Sequence, residues 1–90
     1  MATYLISYDL RKPGKDYSSL HAHLKTYATR AKPLESVWLI HSNLTAEAVR
    51  NAAQAYMDAN DKILVIDVTK RAAAWDNLAD DVANWIHGSL

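Results

Sequence analysis

Three short apolar runs constrain the fold of this chain more than any other feature. They cover residues 3–9 (TYLISYD), 35–42 (ESVWLIHS) and 62–68 (KILVIDV), and all three are rich in β-branched and aromatic residues. Short runs of this composition are typical of strands rather than helices. Apolar residues fill both parities of the first run, so we expect that strand to be buried on both faces.

The stretches between and after these runs have apolar residues at helical spacing. A first helix is predicted over residues 17–31, with Asp16 as its N-cap and Pro33 ending it. A second helix is predicted to begin after Thr45, whose hydroxyl suits an N-cap. A third, amphipathic helix is predicted over residues 72–86. The chain therefore alternates strand and helix, in the order β-α-β-α-β-α.

The predicted fold class is α+β, within a single domain of residues 1–90. Connections this short favour a compact sandwich with helices on one face of a sheet. Our first choice is a ferredoxin-like sandwich with an additional C-terminal helix. In that arrangement the strand at 35–43 either stays continuous or bends to form two short strands.

Composition excludes several classes of site. The chain has no cysteine, which excludes disulfides, thiolate metal sites and a cysteine nucleophile, and fits a reducing compartment. No run approaches the roughly 20 apolar residues that a membrane span needs, and the first residues do not resemble a signal peptide. We therefore expect a soluble cytoplasmic protein with no membrane partner.

Charge is distributed unevenly although the formal net charge is zero. Residues 1–33 contain six basic and two acidic side chains, whereas residues 34–90 contain four basic and eight acidic ones. A neutral total argues against a strong general nucleic-acid binder, but this asymmetry allows one surface to be basic. Scattered, solvated charge is the alternative.

The first run ends on a carboxylate, Asp9. If the strand of residues 3–9 is parallel to that of residues 35–42, Asp9 comes near His41 and Ser42, because ligand sites of such sheets lie outside the carboxyl ends of the strands. Asp9 is a hard oxygen ligand suited to Mg²⁺ or Mn²⁺. We expect Asp9, His41 and Ser42 to be the catalytic residues, with His41 or Ser42 orienting the scissile group or a water.

Basic residues follow Asp9 directly. Arg11 is able to hold a phosphate bidentately, and Lys12 and Lys15 add point charges, so these three are the predicted nucleic-acid-binding residues. Together with a metal at Asp9 they would bind or cleave a phosphodiester, with metal-bound water as the nucleophile. The alternative is that Asp9 stands at a strand end simply because aspartate favours turns.

Two further features leave alternatives open. Asp67 lies inside the third apolar run, so it is either exposed on a solvated face or, if buried, in need of a cation, for example across a dimer interface.

Trp75 and Trp85 lie on or beside the apolar face of the last predicted helix. Packing in the core or in a dimer is favoured for them over base stacking.

The chain resembles the small CRISPR-associated Cas2 proteins and the SinR-like small proteins related to them. The resemblance rests on YDLR at 8–11 before a basic loop and a helix, on SVWLI at 36–40, and on NDK at 60–62 before an apolar strand. It covers residues 3–69. The predicted C-terminal helix departs from the strand-like tail of Cas2, the segment with which Cas2 engages its integrase partner.

The resemblance implies a ferredoxin-like fold, a homodimer and RNA or DNA as the ligand. Asp9 matches the aspartate proposed as the Mg²⁺ ligand of that family, with two such residues meeting across the dimer, and Arg11 matches the basic position after it. We therefore expect a dimeric nucleic-acid-binding protein and, as its activity, divalent-metal-dependent endonuclease cleavage. The alternative is a non-enzymatic interaction module that docks a protein partner through the C-terminal helix.

Overall fold

The computed structural model describes residues 1–11 and 16–89. Within them the chain forms four strands and three helices, which confirms the predicted α+β class. The elements, in chain order, are β1 (Ala2–Asp9), α1 (Ser18–Leu24), β2 (Arg30–Leu34), β3 (Val37–Ser42), α2 (Ala46–Gln54), β4 (Lys62–Asp67) and α3 (Asp80–Ser89).

The strands form one antiparallel sheet in the order β2-β3-β1-β4. In the ladder between β1 and β3, Ala2 faces Ser42 and Ser7 faces Val37, so these two strands run in opposite directions. The parallel pairing, which was the condition for bringing Asp9 near His41 and Ser42, is therefore not observed. The reason is β2, which sequence reasoning missed: it forms a hairpin with β3 through a turn at residues 35–36, and the hairpin reverses the chain.

The first predicted helix is too long. Helix α1 ends at Leu24, where the backbone N–H and the hydroxyl of Thr26 both bond the carbonyl of His23, and Arg30–Leu34 is a strand. Ala31 fits the helical spacing of the sequence, but it is buried because it faces Leu39 across the sheet. The helix begins near its predicted start, but the N-cap is Tyr17 and not Asp16. The Asp16 carboxylate still accepts a 2.8 Å bond from the N–H of Ser18.

The main core lies between the sheet and helices α1 and α2. Its buried members are Tyr4, Ile6, Tyr8, Leu20, Leu24, Trp38, Ile40, Val49 and Ala53. The polar atoms that enter this core are paired: Trp38 Nε1 donates to Tyr8 Oη at 3.0 Å, and Tyr4 Oη donates to the carbonyl of Leu44 at 2.7 Å. Thr45 is confirmed as the N-cap of α2, because its hydroxyl accepts a bond from the N–H of Ala48.

The last predicted helix is displaced along the chain. Helix α3 covers Asp80–Ser89 rather than residues 72–86. Lys70 and Asn77 both have positive φ, a backbone conformation that a right-handed helix does not contain, and residues 71–79 are therefore not helical. Trp75 is 41% exposed, so it is not a core residue.

Helix α3 lies on the second face of the sheet. The Trp85 ring of this helix lies 5.0 Å from the ring of His41. Ile40 points into the main core, and because neighbouring side chains of a strand point to opposite faces, His41 points to the second face. This helix covers only part of the face, since Leu64 and Ile66 of β4 remain 60% and 48% exposed. None of the helices in the described parts of the chain is long and apolar enough to cross a membrane.

Candidate functional site

Asp9 and Arg11 form an ion pair at the carboxyl end of β1. Arg11 Nη1 lies 3.1 Å from Asp9 Oδ2, and the side chains are 52% and 56% exposed, respectively. An ion pair this exposed contributes at most about 1 kcal/mol to folding, because water screens it. The pair therefore has little structural purpose, and both side chains remain accessible to a ligand.

Asp61 anchors the backbone beside this pair. Its Oδ1 accepts a 2.6 Å bond from the N–H of Arg11 and a 2.8 Å bond from the hydroxyl of Tyr17. Its Oδ2 accepts a 2.7 Å bond from the N–H of Asp58, within the turn that precedes β4. One carboxylate thus ties the end of β1 to the start of α1 and the start of β4.

Sequence reasoning did not single out Asp61 as a site residue. The available signal was its place in the segment at 60–62, directly before the third apolar run. The turn it belongs to is built by aspartates: the Asp58 carboxylate accepts a 3.1 Å bond from the N–H of Asn60, and the Asp58 carbonyl accepts one from the N–H of Asp61.

Lys62 completes the charged end of the sheet. It faces Asp9 directly in the ladder between β1 and β4, and the two residues line a shallow cleft of about 220 Å³ together with Ser7 and Leu64. The strand-1 tip, meaning Asp9, Arg11, Asp61 and Lys62, therefore combines two carboxylates with two cations. Such a set can hold a phosphate through its cations and offer an oxygen ligand through Asp9.

His41 and Ser42 are not part of the strand-1 tip. They face Thr3 and Ala2 in the antiparallel ladder, so they lie at the opposite end of β1, about 20 Å from Asp9 at the rise of an extended strand. The prediction that Asp9 comes near His41 and Ser42 is therefore wrong for a single chain. Lys12 and Lys15, the other predicted phosphate ligands, lie outside the described residues.

His41 and Ser42 have structural partners where they are. The buried Ser42 hydroxyl accepts a 3.0 Å bond from the N–H of Leu44, which shapes the turn into α2. The carbonyl of Ser89 lies 3.0 Å from His41 Nε2 and also accepts a bond from the hydroxyl of Thr3. Because a carbonyl only accepts, His41 donates from Nε2 and helps to hold the end of α3 against the sheet.

The metal-ligand set of one chain is small. Within residues 1–11 and 16–89, no three histidine, aspartate or glutamate side chains are grouped so that they could hold a metal ion. Asp9 offers an accessible carboxylate, with one oxygen engaged by Arg11. Mg²⁺ is often held by one or two carboxylates, with waters and phosphate oxygens as its other ligands. Asp9 fits that chemistry as one ligand. Both oxygens of Asp61, the other carboxylate of the strand-1 tip, accept hydrogen bonds, so a further carboxylate ligand would come from another chain.

Asp16, Asp67 and His23 have pKa values shifted from the ordinary values of their side chains. Hydrogen bonds from Ser18 lower the pKa of Asp16, and hydrogen bonds from Thr69 lower the pKa of Asp67, which is exposed. Asp67 therefore needs no buried cation, and the first of its two predicted environments is confirmed. Burial lowers the pKa of His23, whose ring stacks on that of Tyr56 at 4.8 Å.

Comparisons with protein-family models and with solved structures do not classify this chain, so its class rests on its own structure. No family model matches the chain. No solved structure matches it significantly. The structure defines a small α+β protein with a four-stranded antiparallel sheet, two helices on one face and α3 on part of the other.

Proposed function

We propose that this chain is a homodimeric nucleic-acid-binding protein of the Cas2-like kind, built on a ferredoxin-like arrangement. The observation that carries the proposal is the exposed Asp9–Arg11 pair, held in place by Asp61 through the backbone of Arg11. The chain order β-α-β-β-α-β and the sheet order β2-β3-β1-β4 support the ferredoxin-like part.

Arg11 is the phosphate-binding residue of this proposal. Its guanidinium uses Nη1 for Asp9 and is half-exposed, so further donors of its planar fork are accessible to a phosphate. Lys62, opposite Asp9 in the ladder, adds a second positive charge on the same end of the sheet. With a net charge of zero, binding depends on such local clusters rather than on the field of the whole protein.

The open part of the second sheet face is the dimer surface of this proposal. Side chains two positions apart on a strand point to the same face, so Asp9 and Ser7 share a face of β1. Ser7 pairs with Leu64 in the ladder. Asp9 therefore lies on the same face of the sheet as the exposed side chains of Leu64 and Ile66. A second copy that covers these apolar side chains brings the two Asp9 residues to one interface. That pairing would supply one Asp9 carboxylate from each chain as a metal ligand.

Two Asp9 carboxylates would then hold the Mg²⁺ or Mn²⁺ ion. When bound, such an ion would polarise a phosphate and activate a water. Arg11 orients the phosphate, and Asp61 keeps Arg11 at the correct place in the backbone. His41 and Ser42 take no part in this proposal, because they lie at the other end of β1.

A second candidate function is a non-enzymatic protein-interaction module. The observation in its favour is the set of large apolar side chains exposed on one chain, which a protein partner would cover. These include Leu34, Leu64, Ile66 and Trp75. In this function the strand-1 tip binds no nucleic acid, and the two candidates therefore differ in one measurable property.

The deciding experiment measures binding of labelled RNA and DNA at about 50 mM salt, by fluorescence anisotropy. Arg11→Gln should weaken binding roughly three- to tenfold, because a phosphate contact is lost while the backbone bond to Asp61 remains. Arg50→Gln is the matched control, since Arg50 is exposed on α2 and bonds only its neighbour Asn51 among the described residues. Absence of binding by the unmodified protein would leave the interaction module.

Cleavage is tested separately. Incubation of the same nucleic acids with Mg²⁺ or Mn²⁺ should produce fragments, and Asp9→Ala should abolish them while the protein remains dimeric in analytical ultracentrifugation. Asp67→Ala is the control, because it removes an exposed carboxylate from β4 at the other end of the sheet. Equal cleavage by Asp9→Ala and the unmodified protein would remove Asp9 from the mechanism.

A further inference from the structure

A second charged groove runs along the outer edge of the sheet, away from the strand-1 tip. It lies where edge strand β2 meets the end of α1 and helix α3, and its volume is about 550 Å³. We call it the β2 groove. The residues that define it are Lys25, Arg30, Lys32, Trp38, Asp81 and Trp85.

Two cations of the β2 groove are held in position. Arg30 Nη1 donates a 3.0 Å bond to the carbonyl of Tyr27, and Lys32 Nζ lies 5.8 Å from the centre of the Trp38 ring, within the range of a cation–π contact. Both side chains belong to exposed residues, so their remaining donors face solvent. Side chains already held in place lose less conformational entropy when a ligand binds.

Among the described residues, no carboxylate forms an ion pair with these cations. The Asp9–Arg11 pair is the one ion pair within the described residues, and the carboxylate of Asp81, on the α3 wall, is not within ion-pair distance of Lys25, Arg30 or Lys32. The β2 groove therefore has three positive charges and one negative charge. This excess stands out in a chain whose net charge is zero.

Trp85 forms part of the wall of the β2 groove. Its indole Nε1 is buried, so this N–H is not accessible to a ligand in the groove. The groups of the groove that recognise phosphate oxygens are therefore its cations.

We infer that the β2 groove binds the phosphate backbone of a nucleic acid, as a second contact surface beyond Arg11. This inference rests on the proposed function, because it presupposes that nucleic acid is the ligand. Arg30 and Lys32 are two residues apart on one strand, about 7 Å along it, so they contact different phosphates. The groove lies roughly 20 Å from the strand-1 tip, so one nucleic-acid strand that reaches both spans several nucleotides.

The test uses a labelled single strand of about 16 nucleotides and measures its dissociation constant at several salt concentrations. The double variant Arg30→Gln/Lys32→Gln should bind about tenfold more weakly at low salt. The slope of log K against log salt should fall by about 1.4, the value for two lost contacts to a single strand. Asp81→Asn should change affinity in the opposite direction, because it removes the acid from the groove wall.

The matched control is Arg50→Gln/Lys70→Gln, which removes the same charge from exposed residues outside the groove. It should bind within about twofold of the unmodified protein. Thermal unfolding monitored by circular dichroism establishes that all variants are folded.

Three results would overturn the inference. If Arg30→Gln/Lys32→Gln binds like the control while Arg11→Gln binds weakly, the β2 groove is not a contact surface and the proposed function stands. If unlabelled polyglutamate displaces the oligonucleotide as well as an unlabelled oligonucleotide does, the groove suits an acidic protein segment instead. If the unmodified protein binds no nucleic acid at low salt, the proposed function fails and the inference fails with it.

Discussion

The carboxylate of Asp61 accepts a 2.6 Å hydrogen bond from the backbone N–H of Arg11, a residue 50 positions earlier in the chain. The same carboxylate bonds the hydroxyl of Tyr17 and the N–H of Asp58. The end of β1, the start of α1 and the turn before β4 therefore depend on one side chain. This contact positions the functional pair Asp9–Arg11, although Asp61 belongs to neither β1 nor the basic segment after it.

Replacement of Asp61 should destabilise the fold. Asp61→Ala removes hydrogen bonds to an ionised, half-buried group, and we expect the free energy of unfolding to fall by about 2–3 kcal/mol in urea titrations. Asp76→Ala is the control, since Asp76 is exposed and should change stability by less than about 0.5 kcal/mol. Equal midpoints for the two variants would show that Asp61 does not anchor the tip.

The open sheet face should be required for dimerisation. Ile66→Lys places a charge on the half-exposed apolar surface of β4, and a charge buried in an interface without a partner is strongly unfavourable. Sedimentation velocity should therefore show a monomer for Ile66→Lys. Leu44→Lys is the control, because the exposed Leu44 follows β3 and lies outside the β1–β4 face. A dimer that survives Ile66→Lys would place the interface elsewhere.

Ser42 should affect stability and not nucleic-acid chemistry. Its hydroxyl bonds the N–H of Leu44 from a buried position, so Ser42→Ala should lower the free energy of unfolding by about 1 kcal/mol. Nucleic-acid binding and cleavage should be unchanged, because Ser42 faces Ala2 at the far end of β1 from Asp9. Loss of cleavage in a folded Ser42→Ala protein would return this residue to the active site.

Stability should depend on pH through His23. Burial lowers its pKa in the folded protein below the value of 6.5 that it has when unfolded, and the unfolded state therefore binds more protons as the pH falls. The stabilising effect of neutral His23 is complete above pH 6.5 and is lost as the pH falls through the lower folded pKa. Urea midpoints should accordingly decrease between about pH 7 and pH 5.

His23→Phe keeps an aromatic ring against Tyr56 and should reduce this pH dependence. Substitution of His87 is the control, because it also removes a histidine, but an exposed one. The lowered pKa values of Asp16 and Asp67 act in a different range, because those carboxylates begin to lose their contribution only below about pH 3.8. An unchanged slope between pH 7 and pH 5 in His23→Phe would exclude His23 as the responsible group.

The elements with local signals were predicted from sequence. β1 and β4 follow apolar runs closely, and α2 begins where Thr45 supplies its cap. Edge strand β2 was missed because its sequence, RAKPL, contains a lysine and a proline that suit an edge and has few apolar residues. This segment is a strand because it pairs with β3, and no local pattern in its own residues indicates that pairing.

In the candidate site, too, some contacts follow from the sequence and others depend on the pairing of strands. Asp9 and Arg11 are two residues apart at a strand end, so their proximity followed from the sequence alone. Asp61 reaches Arg11 only because β4 pairs with β1, and His41 lies far from Asp9 only because β3 is antiparallel to β1. The sequence by itself determined where β1 and β4 lie and where the charged turn after β1 begins. Tertiary structure alone decided strand direction, because direction depends on backbone pairing between residues distant in the chain.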